Sequence, residues 1–222
     1  MADVTWLWFL KQKMNKMSNQ FHIQDWVKIK NGEIFNSGKL IFESTEKELN
    51  LFLKECYEFL EIKYPKFHKM DGLSKLGILG SEIIFRKNKP TKDTALVISN
   101  NASSLETDKQ FQESTKTFAS PALFVYTLPN IILGEISIKH KLQSENAFFI
   151  SEDFNAGLLK DYSESLLSSE KTSSVLCGWL DLQNGEYDVF LCLVSEEKNI
   201  PFSEESLKKL YCAENDKPTH RT

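Results

Sequence analysis

Apolar and polar positions alternate roughly over Phe21–Ile29, as along a half-buried strand, and Asn31-Gly32 behind it is a strong hairpin turn. Ile34–Phe42 reads as the returning strand. Thr45 then caps a helix, with Glu46 and Glu48 in its first turn, where the helix dipole favours acids. Leu49, Phe52, Leu53, Cys56, Phe59 and Leu60 follow at spacings of three and four, the stripe of a helix packed on a core. Tyr64–Met70 is a connector, and Asp71 or Ser74 opens the next helix. There Gly77 and Gly80 sit among Leu73, Leu76, Ile78, Leu79 and Ile83, so that face allows close approach to a sheet or another helix. Thr94–Ser99 is apolar without alternation, which predicts a strand covered on both faces, as in a parallel sheet. A loop then leads into a helix over Leu105–Ser114.

The chain is organised around Ser120–Leu142 and the run Asn146–Ile150 behind it. Ser120 and Pro121 have the chemistry of a helix N-cap and first helical residue. Pro129 lacks the donor a helix interior needs, which predicts a kink or a fresh helix start beside it. From Ile131 the helix resumes with Ile131, Gly134 and Ile138 on one face. A helical Gly costs about 1 kcal/mol against Ala, so Gly134 is expected to pack closely on another backbone. After the short strand Asn146–Ile150 comes a helix over Phe154–Ser168, with Ala156, Leu159, Tyr162 and Leu166 inward and Lys160, Asp161, Glu164 and Ser165 on the other side. Val175–Leu182 and Tyr187–Val194 form a hairpin through Asn184-Gly185, a type I′ signal, and Ser203–Leu210 is a short capped helix. Strands and helices intermix, which is the order of an α/β layered domain.

Composition narrows the chemistry. The 222 residues are 41% hydrophobic and 26% charged, ordinary for a globular chain able to bury a core. A net charge of −4 supplies no basic surface for nucleic acid. Cys56, Cys177, Cys192 and Cys212 form no CxxC pair, and His22, His68, His140 and His220 are scattered, so no metal and no cofactor is expected. Cys177 and Cys192 fall inside strand-like runs, where a thiol serves as a small hydrophobe, and the chain reads as reducing and cytoplasmic. Trp6–Leu10 is apolar but too short to span a membrane, and it has neither a basic leader before it nor a small-residue cleavage site after it. Met14 or Met17 could equally be the start. Residues 1–18 are expected to form a flexible extension, 19–212 the domain, and 213–222 a disordered tail.

Four stretches, in order, resemble the N-terminal half of the β-ketoacyl-ACP synthases, which have the thiolase fold. They are DGLSKLGILGSE (71–82), NNASSLETDKQFQES (100–114), SPALFVYTLPNIILGEISIKHKL (120–142) and VLCGWLDLQNGEYDVFLCLV (175–194). The resemblance covers about Tyr64 to Val194 and is nearest to half-length, synthase-like companions of ketosynthases in polyene pigment pathways. It implies the N-terminal half of a thiolase-like fold: a mixed β-sheet of about five strands with helices on both faces. In the family, a tight turn after the strand like Asn146–Ile150 presents a nucleophilic cysteine at a helix N-terminus. There the helix dipole stabilises a thiolate and backbone N–H groups form an oxyanion hole. Aligned on its Ser-Pro and Asn-Gly anchors, this sequence has Asp153 at that position, and no cysteine occurs between Cys56 and Cys177. Glu152 and Asp153 can cap the helix, but they cannot carry an acyl thioester. The family's catalytic histidines come from its C-terminal half, and after Asp153 the only histidine here is His220. Ser151 has no visible base, and His140 reads as a helix-end residue satisfying carbonyls.

The resemblance therefore implies a partner subunit rather than an enzyme. In the family, the strand matching Asn146, Ala147, Phe148, Phe149 and Ile150 pairs with its twin across a dimer two-fold. The segment matching Ala122, Leu123, Phe124 and Leu128 forms acyl-pocket wall. The implied partners are a full-length ketosynthase in a heterodimer and, through it, an acyl carrier protein, in aryl polyene-type synthesis; no membrane or nucleic acid is implied. The competing readings are a small acyl-transfer or hydrolytic enzyme using Ser151, Asp153 or a surface thiol, and a lipid-binding homodimer.

Overall fold

Every strand among the described residues joins one mixed sheet, and helices cover both of its faces. The computed structural model describes residues 21–46, 48–169 and 171–213. The expected extension over 1–18 and all of the expected tail but residue 213 lie outside them. The strands are β1 (His22–Lys30), β2 (Glu33–Asn36), β3 (Lys39–Glu43), β4 (Thr94–Asn100), β5 (Asn146–Ile150), β6 (Ser174–Gln183), β7 (Glu186–Ser195) and β8 (Ile200–Pro201). Their order is β3-β2-β1-β7-β6-β4-β5, with β8 paired to β1, so the sheet has eight strands rather than about five. The extra width is local hairpin structure. Ile34–Phe42 is not one returning strand but two, folded at Ser37-Gly38, where both residues have positive φ (47° and 82°). Asn31-Gly32 and Asn184-Gly185 also have positive φ at both residues, as type I′ turns require.

Seven α-helices are described: α1 (Leu49–Phe59), α2 (Gly72–Lys87), α3 (Leu105–Ser114), α4 (Pro121–Val125), α5 (Ile131–His140), α6 (Ala156–Leu167) and α7 (Glu204–Cys212). One layer holds α1, α2 and α5, which bury Phe52, Leu76, Ile84 and Ile136 against the sheet. The opposite layer holds α6 and α7, with Leu159 and Leu207 packed over Val97, Cys177 and Phe190. All seven residues of β4 are buried, as its unbroken apolar run requires, and it pairs in parallel with both β5 and β6. β1 lies between β2 and β7 and is buried more fully than a half-buried strand.

Local chemistry sets the helix ends. Asp71 caps α2 by accepting from the Ser74 N–H (3.0 Å), and Ser120 caps α4 with Pro121 as its first residue. Pro129 separates α4 from α5, so the fresh start expected there is what forms. The first helix is capped by Glu48, whose carboxylate accepts from Asn50 and Leu51 N–H, and not by Thr45. Gly77 lets α2 meet α5: a Cβ there would lie 2.1 Å from Ile132 Cδ1. Gly134 does the opposite of what its spacing suggests. It is exposed, and a Cβ there would meet nothing within 4 Å. Helix α5 instead buries Ile132, Leu133, Glu135 and Ile136, leaving Ile138 64% exposed.

Candidate functional site

Among the described residues, strand β5 ends the sheet, bonded to β4 on one side and unpaired on the other. Leu96 N–H donates to the Glu145 carbonyl (3.1 Å) and Ser151 N–H to the Asn100 carbonyl (2.8 Å). In a parallel ladder this phase leaves the N–H groups of Asn146, Phe148 and Ile150 facing the open edge. The side chains leave apolar surface there too. Phe148 is half-buried against the α2–α5 layer, and Phe149 packs on the opposite layer, 5.1 Å edge-on to Tyr162. Asn146 is exposed, Ala147 is half-buried and Ile150 is 56% exposed. An apolar strand edge of this kind is a template for pairing with another chain.

The turn after β5 holds the position that the resemblance assigned to a nucleophile. Asp153 and Glu152 are exposed, and neither caps α6; Asn155 does, accepting from the Leu158 N–H (2.9 Å). The Glu152 carbonyl instead accepts from Asn101 Nδ2 (2.7 Å), tying the turn to the end of β4. Asp181 on β6 braces the same loop by accepting from the Asn101 and Ala102 N–H groups (3.1 and 2.9 Å). An open depression of about 310 Å³ lies over the turn, between Ser151, Asp153 and Glu204. Ser151 is half-buried, and no hydrogen bond joins its hydroxyl to another described side chain.

Cys56, Cys177 and Cys192 are buried away from this turn, and Cys212 closes α7. Cys177 and Cys192 face each other across the β6–β7 pair with sulfurs 3.5 Å apart. His140 does not reach helix carbonyls as expected. Its Nε2 lies 3.4 Å from Ser81 Oγ and 4.0 Å from Glu82, its ring meets Phe85 edge-on, and burial draws its pKa down to about 4. Helix α6 has the dry and wet faces its sequence implies, but the dry face holds Ser163 and Leu167 with Ala156 and Leu159. Leu166 is half-buried and Tyr162 exposed, while Lys160 pairs with Glu164 (2.8 Å) and Asp161 (3.3 Å) on the wet side.

The four residues expected as pocket wall divide into two pairs. Ala122, itself exposed, and half-buried Leu123 line a partly open cavity of about 220 Å³ beside the N-terminus of α2, whereas Phe124 and Leu128 are 61% and 59% exposed. Val125 (50%) and Phe118 (79%), on the same stretch of chain, are exposed as well. At the end of α4 lies an ionic arrangement that the sequence reading passed over. Tyr126 donates its hydroxyl to buried Glu135 (3.0 Å), and Lys66 pairs with the same carboxylate (2.7 Å), fixing α4 to α5. Burial, with the Glu135 bond adding to it, drives the Tyr126 phenol well above its usual range. The sequence signal was a lone acid in the otherwise apolar run IILGEISI.

No family profile and no curated protein sequence matches the chain. Solved structures do match its fold. One is a chain of the ketosynthase ApeO in complex with its chain length factor ApeC from Xenorhabdus doucetiae, at 16% identity and a TM-score of 0.55, covering 86% of this chain and 90% of that one. A chain of the ishigamide ketosynthase/chain length factor is similar at 13% identity and a TM-score of 0.53, covering 79% of this chain and 62% of that one. A third belongs to AntDE:AntF, a type II acyl carrier protein in complex with its ketosynthase, at 11% identity and a TM-score of 0.54, covering 81% and 63%. This chain thus spans nearly all of the first and less than two thirds of the other two. None of the described helices is long and apolar enough to cross a membrane. The sheet order, the two helical layers and these matches together place the chain in the thiolase-like fold of the ketosynthases.

Proposed function

We propose that this chain is a non-catalytic, ketosynthase-like subunit that pairs with a full-length ketosynthase, stabilising it and shaping its acyl chain-length pocket. The observation that carries this reading is the open β5 edge, with three outward N–H groups and Phe148, Phe149 and Ile150 incompletely covered. Its neighbour in sequence, the Ser151–Asp153 turn, supports the non-catalytic part: the resemblance puts Asp153 at the nucleophile position, where a carboxylate cannot carry an acyl thioester, and no described base bonds Ser151. Exposed Phe124 and Leu128 are the pocket-wall groups that a partner would receive. The pathway we assign is aryl polyene synthesis, in which the ketosynthase, not this chain, engages the acyl carrier protein. Complexes of a ketosynthase with a chain length factor among the matched structures support a pairing role.

The experiment is co-expression with a full-length ketosynthase of the same source organism, affinity capture through a tag on the ketosynthase, and intact mass of both chains after incubation with acyl carrier protein. A captured complex in which only the ketosynthase is acylated is the expected result. A stable monomer with no capture would end the proposal, and an acyl adduct lost in Ser151→Ala would make the chain an enzyme.

A further inference from the structure

The partly open cavity beside α2 has a polar lining whose members are unequally committed. It lies between the starts of α1 and α2, the inner faces of α3 and α4, and the β6–β7 turn. Both of its carboxylates are already engaged. Asp71 accepts from the Ser74 N–H (3.0 Å) through one oxygen and from the Thr107 hydroxyl (2.9 Å) through the other. Glu106 accepts from the Asn184 N–H (2.9 Å) and from Lys109 (3.4 Å). Tyr126 has its hydroxyl committed as a donor to Glu135 (3.0 Å). Lys75 differs: it is half-buried on the first turns of α2, and its ammonium has no hydrogen bond or ion pair among the described residues. The lining also holds exposed Lys69 and the apolar side chains of Leu49, Met70, Leu123 and Leu182.

We propose that this cavity binds a small monocarboxylate with a short unbranched apolar chain, its head on the Lys75 ammonium and its chain against Leu123 and Leu182. Hydrogen bonding sets the head group, because both acids already accept hydrogen bonds within the protein while the Lys75 ammonium, near Asp71 but not bonded to it, has donors to offer. Size sets the chain: about 220 Å³ is below the range of drug-sized ligand sites, about 300–1,000 Å³, and excludes a long acyl tail. Burial lowers the Lys75 pKa while Asp71 opposes the shift, and an incoming carboxylate would act in the same direction as Asp71. The inference is independent of pairing with a ketosynthase, since every group it uses lies in this chain.

The test uses the isolated full chain with hexanoate as the probe, read by titration calorimetry and by amide chemical-shift mapping. Hexanoate is expected to bind saturably, with shifts confined to the starts of α1 and α2, to α3 and α4, and to the β6–β7 turn, while hexanol, hexylamine and inorganic phosphate bind at least about tenfold more weakly. Lys75→Met should weaken hexanoate at least about tenfold, and Leu123→Trp, which fills the cavity, should abolish it, both with unchanged circular dichroism. Lys75→Arg, which keeps the charge, should retain binding and covers the case in which Lys75→Met fails to fold. No saturable binding, equal binding of phosphate, or hexanoate binding indifferent to Leu123→Trp would each overturn the proposal.

Discussion

Two glycines on adjoining helices should respond in opposite directions to the same substitution. Gly134→Ala adds a methyl where nothing lies within 4 Å, on an exposed face of α5. Only helix propensity changes there, so the variant should be more stable by about 1 kcal/mol. Gly77→Ala gains the same propensity term, but its Cβ would lie 2.1 Å from Ile132 Cδ1 and 3.1 Å from Leu180 Cδ1, in the packed contact between α2 and α5. Ile132 must leave its rotamer, and overpacking of that kind costs about 1–3 kcal/mol, leaving the variant unchanged at best and destabilised by up to about 2 kcal/mol. The two sites share no neighbour, so the double variant should match the sum of the singles within about 0.5 kcal/mol. Urea unfolding followed by circular dichroism reads all three, with a constant m-value as the check that only the native state has changed. In a chain this size 1 kcal/mol moves the midpoint temperature by about 2–4 °C. Destabilisation by Gly134→Ala, or stabilisation by Gly77→Ala, would refute the account of which face of each helix is packed.

Three further outcomes follow from buried polar groups and caps. His140 has a folded pKa of about 4 against 6.5 for the free side chain, so between those values the unfolded chain binds more protons than the native one. Stability should therefore fall as pH drops from 6.5 to 4, by up to about 3 kcal/mol, and His140→Gln should flatten that part of the pH profile in urea titrations. Asp25 accepts from the Trp26 N–H (2.9 Å), Asn36 (2.6 Å), Ser37 (2.6 Å) and Asn88 (3.1 Å), so Asp25→Ala strands several buried donors and should cost about 2–4 kcal/mol by the same assay. Asn155→Ala should cost about 1 kcal/mol because it removes the cap of α6, while Asp153→Ala should change stability by less than about 0.5 kcal/mol; the reverse order would restore Asp153 as the cap.

What could be read from the chain were features decided within a few residues. Asn31-Gly32 and Asn184-Gly185 announced their turns because Asn tolerates the left-handed region and Gly prefers it, whereas Ser37 carries no such signal at a φ of 47°. The unbroken run of β4 and the Pro129 break between α4 and α5 were equally local. Helix α5 was misread because it is apolar nearly all round: Ile131, Ile132, Leu133, Ile136 and Ile138 define no single stripe, so only the tertiary structure shows that Gly134 faces outward. At the candidate site, Asn146–Ile150 was legible as a strand, but its place at the end of the sheet depends on long-range pairing with β4. Asp153, Asn155 and Ser151 are all plausible caps by residue type, and the choice of Asn155 is fixed by where the turn meets Asn101.

In the proposed function, the unpaired edge of β5 joins this chain to a ketosynthase. Ile150→Pro tests it, because Pro removes an outward N–H that β4 does not use and is tolerated on an edge strand. Co-expressed with the ketosynthase and measured by size-exclusion chromatography with light scattering, the wild-type chain should run with the mass of a one-to-one heterodimer. Ile150→Pro should run as a folded monomer with unchanged circular dichroism. A heterodimer that persists undiminished in Ile150→Pro would contradict the account, as would a wild-type chain that stays apart from the ketosynthase.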